Sequence, residues 1–596
     1  MADQVSERQS GLGESESSGT RGAEAPEIQQ RPKSRVGPRW LSVGRGVEIE
    51  FGSGGLRIDP DVCLPSRGMP VSVQFYYYSH SSYDGSFGYG RTMSYNRYLE
   101  ENVPETGKVT VHTGTGETRV YTKNNGDYDP PPGFVDQLYK GGDNTWGELR
   151  FDQVYFSYDT GDTEARLSSV KDFQGNTQTI YRDGSNRINK LTDPVGRAVY
   201  FNYDGNGRLN EMIDWADRYQ YFDYDANGNL NKVIGPTLCV HYYDYDGSHN
   251  LIEYIDPEGY STAWQYDNAT PKRVVRLTRP GSAHTYFNYN VDSKLEMRID
   301  ALGKPTYYQW DNTTGDLEAA TDPLGGTTYY EYASRHQNKV IDANGNVTYY
   351  QHDVSGNLIK EIDPAGEVTD YNYDSGNRLT EVIDPLGHKT YYSYDSGNQN
   401  KTVDPLDHVT YYNYDANDQL HMEIDPLGKV SYYNYDANGN QNEVIDPLGN
   451  DTDFQHDAAG NVIAETNPLD KTTYYEYDNM KRLTKLTDPL GNVVEYAYDA
   501  RGNRTIEVDA NSNPSYYEYD GNSLLTKVKD ALGNVTEYQY DKEGRQTAMI
   551  DPLNNVSYYE YDDAGRLVSV KDPTVQRTWY RYDSAGNQIS VIVTHD

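Results

Sequence analysis

Asp384-Pro385-Leu386-Gly387-His388-Lys389-Thr390-Tyr391-Tyr392-Ser393-Tyr394-Asp395-Ser396-Gly397-Asn398-Gln399-Asn400-Lys401-Thr402-Val403 is the stretch whose reading decides the fold. In its aromatic run, Tyr392 and Tyr394 share one face of a strand while Tyr391 points to the other, because side chains alternate along an extended chain. Turn residues interrupt the chain too often for a long helix. One interruption is Asp384-Pro385-Leu386-Gly387, where Pro385 presets φ for the second turn position and Gly387 tolerates a positive φ. The other follows the Tyr394-Asp395 step and is small and rich in Gly and Asn, as in Ala437-Asn438-Gly439-Asn440. Two strands and two turns make a β-hairpin.

The hairpin recurs. Aligned on the Asp before Pro-x-Gly, the chain gives twenty anchors from Asp172 to Asp572, and their nineteen intervals comprise fifteen of 21 residues, two of 20, one of 22 and one of 23. Such self-similarity is the signature of one supersecondary unit per repeat. The expected fold is therefore all-β, with tandem β-hairpins over residues 151–596. About forty strands roughly 4.8 Å apart would make a ribbon on the order of 190 Å wide, far beyond what a twisted open sheet sustains. The ribbon must coil into a continuous sheet forming a hollow shell or tube, which also hides its edges. The second strand leaves an alternative open: Leu379 and Val382 in Arg378-Leu379-Thr380-Glu381-Val382-Ile383 would fall on opposite faces of an ideal strand, which implies a bulge or a sheet apolar on both sides.

Upstream, order begins near Trp40, and residues 40–150 read as an N-terminal β domain that caps or plugs the array. Its short runs VEIEF, VSVQFYYY, KVTVHT and TRVYT alternate with turn signals. Residues 1–39, rich in Ser, Gly, Glu and Gln, read as a disordered tail without the apolar core of a secretory signal.

Composition excludes several classes. With 59 Tyr against 11 Phe and only 35% apolar residues, the core must be built largely from tyrosine, whose hydroxyls need partners. A formal charge of −38, from 91 acidic and 53 basic residues, repels phosphate backbones and anionic headgroups, so neither nucleic acid nor membrane insertion is expected. Cys63 and Cys239 belong to no metal-ligand or redox motif.

No catalytic residue, cofactor site or metal site is expected. The acids recur at turn positions in every repeat, whereas catalysis needs one pair with divergent environments. The histidines show no HExxH spacing, and His352 and His456 stand where the repeat places Tyr. Neither a P-loop nor a GxSxG elbow occurs. Asp225–Asn229, Asp342–Asn346 and Asp436–Asn440 resemble calcium loops but lack the distal bidentate Glu, and Asx turns explain them without metal.

Tyr558-Tyr559-Glu560-Tyr561-Asp562-Asp563-Ala564-Gly565-Arg566-Leu567-Val568-Ser569-Val570-Lys571-Asp572-Pro573 resembles the tyrosine–aspartate (YD) repeat of Rhs proteins, teneurins and the cocoon-forming subunits of Tc toxins. Leu64-Pro65-Ser66-Arg67-Gly68-Met69-Pro70 and Gly85-Ser86-Phe87-Gly88-Tyr89-Gly90-Arg91 are similar to the opening of bacterial Rhs shells. The resemblance implies a spirally wound sheet around a cavity. In bacterial members that cavity commonly houses a C-terminal toxin released by aspartyl self-cleavage at a closing DPxGL-type motif; in animal members the repeats serve adhesion. After Asp572-Pro573-Thr574 no such motif follows, so a self-processing toxin carrier is not expected.

The expected function is that of a structural, non-enzymatic protein, extracellular or at the cell surface, without a recognisable N-terminal signal peptide. The alternatives are an encapsulating carrier for an effector supplied separately and a carbohydrate-binding adhesin that uses its tyrosine ladders. The structural repeat residues are Tyr391, Tyr392, Tyr394, Asp395, Asp384, Pro385 and Gly387. Ile589, Val591 and Val593 form an expected assembly edge, for a head-to-tail polymer or for a partner chain that covers it.

Overall fold

A computed structural model describes residues 40–595 apart from 45–46, 51–55, 59–60, 65–69, 103–106, 117, 125–126, 132–135, 151–153, 161–163, 173–174, 293, 312–315, 334–335 and 575. The expected disordered tail, residues 1–39, lies outside the described residues.

The repeat is a pair of antiparallel strands. In Lys389–Asp395, Tyr392 is 8% exposed and Tyr391 40%, so alternation separates a buried face from an open one. In the preceding strand, Leu379–Ile383, Tyr373 faces Leu379 whereas Asn372 faces Glu381, leaving Thr380 without an opposite number. This bulge brings Leu379 and Val382 onto one face and decides the alternative left by the sequence. The same slip recurs through the array, for example between Asn413 and Tyr414 and between Glu560 and Tyr561.

The two turn classes, different in sequence, share one geometry. The Asp384 carbonyl accepts the Gly387 N–H, and Asp384 Oδ1 accepts the N–H groups of Leu386 and His388. Asp374 does the same for Asn377, Gly376 and Arg378. The fourth residue turns left-handed, with φ +81° at Gly387 and +60° at Asn377. The hairpin at Asp395 differs: Asp395 pairs with Asn398 across Ser396 (φ +51°) and Gly397 (φ +98°), a two-residue loop that accounts for the short 20-residue interval from Asp384 to Asp404.

Forty-eight strands, from Tyr98–Asn102 to Gln588–His595, form one continuous sheet. It closes on itself near its start, where Tyr98–Asn102 pairs with both Lys108–His112 and Glu164–Lys171. From Glu164–Lys171 onward the ribbon winds around the same axis. Successive windings meet through turns: Glu258 Oε1 accepts Ala500 N at 2.9 Å, Pro280 O accepts Asn522 Nδ2 at 3.3 Å, and Glu543 Oε1 accepts Ala301 N at 2.6 Å, each pair 242 residues apart. A 242-residue offset is about 11.5 repeats of 21, so a DPxG turn of one winding lies beneath a Tyr-Asp turn of the next. About 23 strands at about 4.8 Å give a circumference of roughly 110 Å and a diameter of about 35 Å.

A smaller sheet precedes this coil and includes Val71–Tyr78 paired with Arg91–Met93. Residues 71–97 supply Val71, Val73, Phe75, Tyr77 and Met93 to one core cluster with Phe201, Phe222, Tyr243, Trp264 and Phe287 of the coil. Those coil residues occupy the Tyr392 position of their repeats, which makes this the inner face.

Candidate functional site

The inner face is a ladder of aromatic rings tied to backbone. Tyr394 donates its hydroxyl to Leu379 O at 2.7 Å, fifteen residues back, where the bulge begins. Tyr373, Tyr435, Tyr498, Tyr540 and Tyr582 repeat that bond to Leu358, Leu420, Leu483, Leu525 and Leu567. The Tyr of the Tyr-Asp step therefore fills the core and satisfies the carbonyl that the bulge exposes. Burial pushes the Tyr394 hydroxyl up to about 12, keeping it a donor at neutral pH.

His352 takes this place in one repeat. Its ring stacks on His336, with centroids 4.8 Å apart, and burial followed by the neighbouring His336 lowers it to about 4.

Where residues 71–97 fill the first winding, the ladder is sealed. Tyr77 OH bridges two backbone groups, donating to His249 O at 3.0 Å and accepting from Leu251 N at 2.9 Å. Phe75 packs on Phe222 with ring centroids 5.0 Å apart. Arg91 is buried between the Tyr243 and Tyr77 rings and donates to Tyr245 OH through Nε (3.1 Å) and Nη2 (2.9 Å). In the second winding the equivalent Tyr433, Tyr475, Tyr496 and Tyr517 are only half-buried, so their faces open onto the lumen.

The first ring of strands holds a buried polar group of its own. Glu148 Oε2 accepts from Arg97 Nη2 and Tyr158 OH, both at 2.6 Å. Burial alone would raise the Glu148 carboxyl, but Arg97 beside it holds it down.

The seam between windings is charged. Glu543 takes Ala301 N and Arg279 Nη2 (3.3 Å), with Arg298 Nη2 at 3.9 Å; Lys304 meets Asp563 at 2.7 Å. Arg501 lies over the Tyr260 ring at 4.6 Å and donates to Gly521 O and Asp520 O at 2.8 Å. Sequence reasoning missed these seam residues. A partial signal was the replacement of the commonest third turn residue, Leu, by Glu258, Gly281 and Asn344, although Leu302 keeps Leu at the seam and Ala365, Asn511 and Thr574 replace it elsewhere.

The residues singled out from the sequence are distributed over the coil and do not converge. Tyr392 and Tyr394 lie on the inner face, and Tyr391 on the outer, between Glu381 and Val403. Asp384, Pro385 and Gly387 make one rim turn; Asp395 belongs to the shortened hairpin and is exposed. Ile589, Val591 and Val593, 63%, 50% and 52% exposed, lie on the last strand, which pairs with Gln576–Tyr582. The calcium-like Asp225 is occupied by its own turn: Oδ1 accepts Asn227 N and Asn229 N, and Oδ2 accepts Asn229 Nδ2. Among the described residues no group of three or more His, Cys, Asp or Glu side chains could hold a metal ion.

The RHS Repeat family matches residues 245–284, 352–389, 414–451, 456–493, 481–514, 519–556 and 561–594, and a domain of unknown function, DUF6531, matches residues 53–121. The chain is an Rhs/YD-repeat protein. Similar solved structures include the Tc holotoxin pore of Photorhabdus luminescens, 14% identical over 88% of this Rhs chain and 30% of that chain, with a TM-score of 0.49. Another is the TcdB2–TccC3 protein, 14% identical over 92% of this chain and 31% of that one, with a TM-score of 0.45. The Rhs chain thus spans about a third of the length of these structures. No curated protein matches it.

Proposed function

We propose that this Rhs/YD-repeat chain is a structural β-shell that works outside the cytoplasm or at the cell surface and performs no catalysis of its own. The observation that carries the reading is the contrast between the two windings. Residues 71–97 pack the inner tyrosines of the first winding, while those of the second line an open lumen. A chain built only to be rigid has no need of a coil about 35 Å from strand to opposite strand whose interior, beyond its own inner side chains, is left unfilled in the second winding. In this reading residues 40–150 cap the array, and the exposed strand edge at Ile589, Val591 and Val593 pairs with another copy or a partner chain. The acid-rich surface suits a protein kept apart from nucleic acid and anionic lipid.

Electron microscopy of the purified protein, with protease shaving of intact producing cells, tests the reading. Hollow particles and loss of the protein on shaving are expected; solid particles, or a protein protected until lysis, would refute it. The open lumen also favours a second reading, a carrier whose effector is supplied separately. Co-expression with the adjoining reading frame should then yield a product that co-purifies and resists protease until the shell is unfolded.

A further inference from the structure

The bond from the Tyr of a Tyr-Asp step to the carbonyl fifteen residues back ties the free ends of two strands that a DPxG-type turn joins at their other ends. Trp310 Nε1 makes it to Leu295 O at 2.7 Å, and Tyr373 OH makes it to Leu358 O at 2.9 Å. Between them it is missing at two successive steps. The Tyr332 hydroxyl is buried without a hydrogen-bond partner among the described residues, and at the next step His352 stands in place of Tyr. What joins the strand ends there is a ring contact. His336, at the start of His336–Ile341, stacks on His352, at the end of Val347–His352, with centroids 4.8 Å apart and planes 22° from parallel. Nδ1 of His336 and Nε2 of His352 are likewise buried and unpartnered among the described residues. The same two strands carry a seam contact at their other end, where Asn344 Oδ1 accepts Ala585 N at 3.2 Å.

We propose that the His336–His352 stack is an acid-operated latch in the shell wall: neutral rings hold the two strand ends together, and two imidazolium rings repel and let them part. The inference rests on the shell reading above and adds a condition under which its wall opens. One charged ring can still stack on a neutral one, but a second proton sets like charges face to face in a poorly hydrated place. Among the described residues, the charged and titratable groups around the pair are Asp353 on the turn that follows, Asp316 and Tyr332 on the hairpin before, and Tyr350 and Glu361 on the inner face beside it. The Asp353 carboxylate favours the charged rings, but its oxygens are taken by its own turn: Oδ1 accepts Ser355 N and Asn357 N, and Oδ2 accepts Asn357 Nδ2. Tyrosine at the same place gains no charge as pH falls, so the neighbouring ladder steps stay shut. The seam contact at Asn344 holds the far ends of both strands and confines the parting to the ends that carry the rings.

The test is amide hydrogen exchange of the full chain at neutral and mildly acid pH, corrected for the intrinsic rate, with strand content followed by circular dichroism. The closed wall binds fewer protons than the parted one, so acid favours parting. With His352 lowered to about 4 in the closed wall and returning to its ordinary value near 6.5 once released, the open population of these strand ends should rise about 30-fold between about pH 7.5 and about pH 5. That rise is expected at residues 336–341 and 347–352 in the wild type and in His456→Tyr, which alters a ladder place whose charged neighbours are Asp436 and Asp457. It should shrink to a few-fold in His352→Tyr, which restores the hydroxyl, and in His336→Phe, which keeps a ring without its charge. No rise in the wild type, a rise spread evenly over the coil, or an equal rise in His352→Tyr and His336→Phe would overturn the latch. Hollow particles whose residues 336–352 stay protected at acid pH would refute the latch alone and leave the shell reading standing.

Discussion

Two tyrosines three residues apart have unequal work. Tyr394 bonds Leu379 O at 2.7 Å, whereas Tyr391 lies on the outer face beneath the Lys389 ammonium, 5.9 Å from its ring centre. Replacing Tyr394 by Phe should cost about 1 kcal/mol by leaving a carbonyl unbonded, while Tyr391→Phe should stay within about 0.5 kcal/mol. Amide hydrogen exchange of the strand Leu379–Ile383 reads the difference, and equal protection in both variants would reject the ladder bond. The His336–His352 pair sets a pH dependence. His352, held near 4 in the folded chain, is protonated at higher pH when unfolded, so the folded state binds fewer protons and loses stability as pH falls from about 6.5 toward about 4. His352→Tyr should shrink this step in melting curves recorded across that window, the remainder coming from His241, His336 and His456, which burial also lowers.

At the scale of the element, the hairpin depends on its turns. Gly387 has φ +81° and nothing near the place a Cβ would occupy, so the cost of Gly387→Ala is backbone strain of about 1 kcal/mol and not collision. Asn should be tolerated there better than Ala, since Asp407 (φ +63°) and Asn554 (φ +62°) fill the same place in other repeats. Thermal melts of the two variants check the order. The turn carboxylates define a second acid window. The Asn450 side chain, donating to Asp446 Oδ2 at 2.8 Å, holds that carboxyl below the usual range, and Asn492 and Asn555 do so for Asp488 and Asp551. Groups with lowered values stabilise the fold above the unfolded value near 3.9 and lose that effect as pH falls through the folded one. Collapse of strand content should therefore begin only below about pH 4, after the histidine step.

For the whole molecule, the seam decides whether the ribbon is a shell or an open sheet. Glu543 holds Ala301 N at 2.6 Å and Arg279 at 3.3 Å across 242 and 264 residues of chain. Glu543→Ala should cost about 1–3 kcal/mol, because it leaves a backbone donor and a guanidinium partly unpaired. Its effect should appear as faster exchange and easier proteolysis near residues 300–305, with strand content unchanged. A variant as protected as the wild type would show that packing alone holds the windings together.

The sequence by itself determined the hairpin, its 21-residue period, the separation of Tyr391 from Tyr392 and the capping role of the turn Asp, because each depends on neighbours a few positions away. Alternation and Asx turns are local chemistry, legible wherever the residues recur. Leu379 and Val382 were legible as a conflict and not as a bulge, since only the register with Asn372 and Tyr373 shows that Thr380 is passed over. Only the tertiary structure decided which tyrosine face looks inward, how many repeats complete a winding and which turns meet at the seam. Curvature is the sum of small strand twists over about 23 strands, and no single repeat encodes that sum. It is fixed by Phe75 against Phe222 inside and by Glu258 and Glu543 across the seam, contacts between residues 147 to 264 positions apart that a 21-residue period cannot announce.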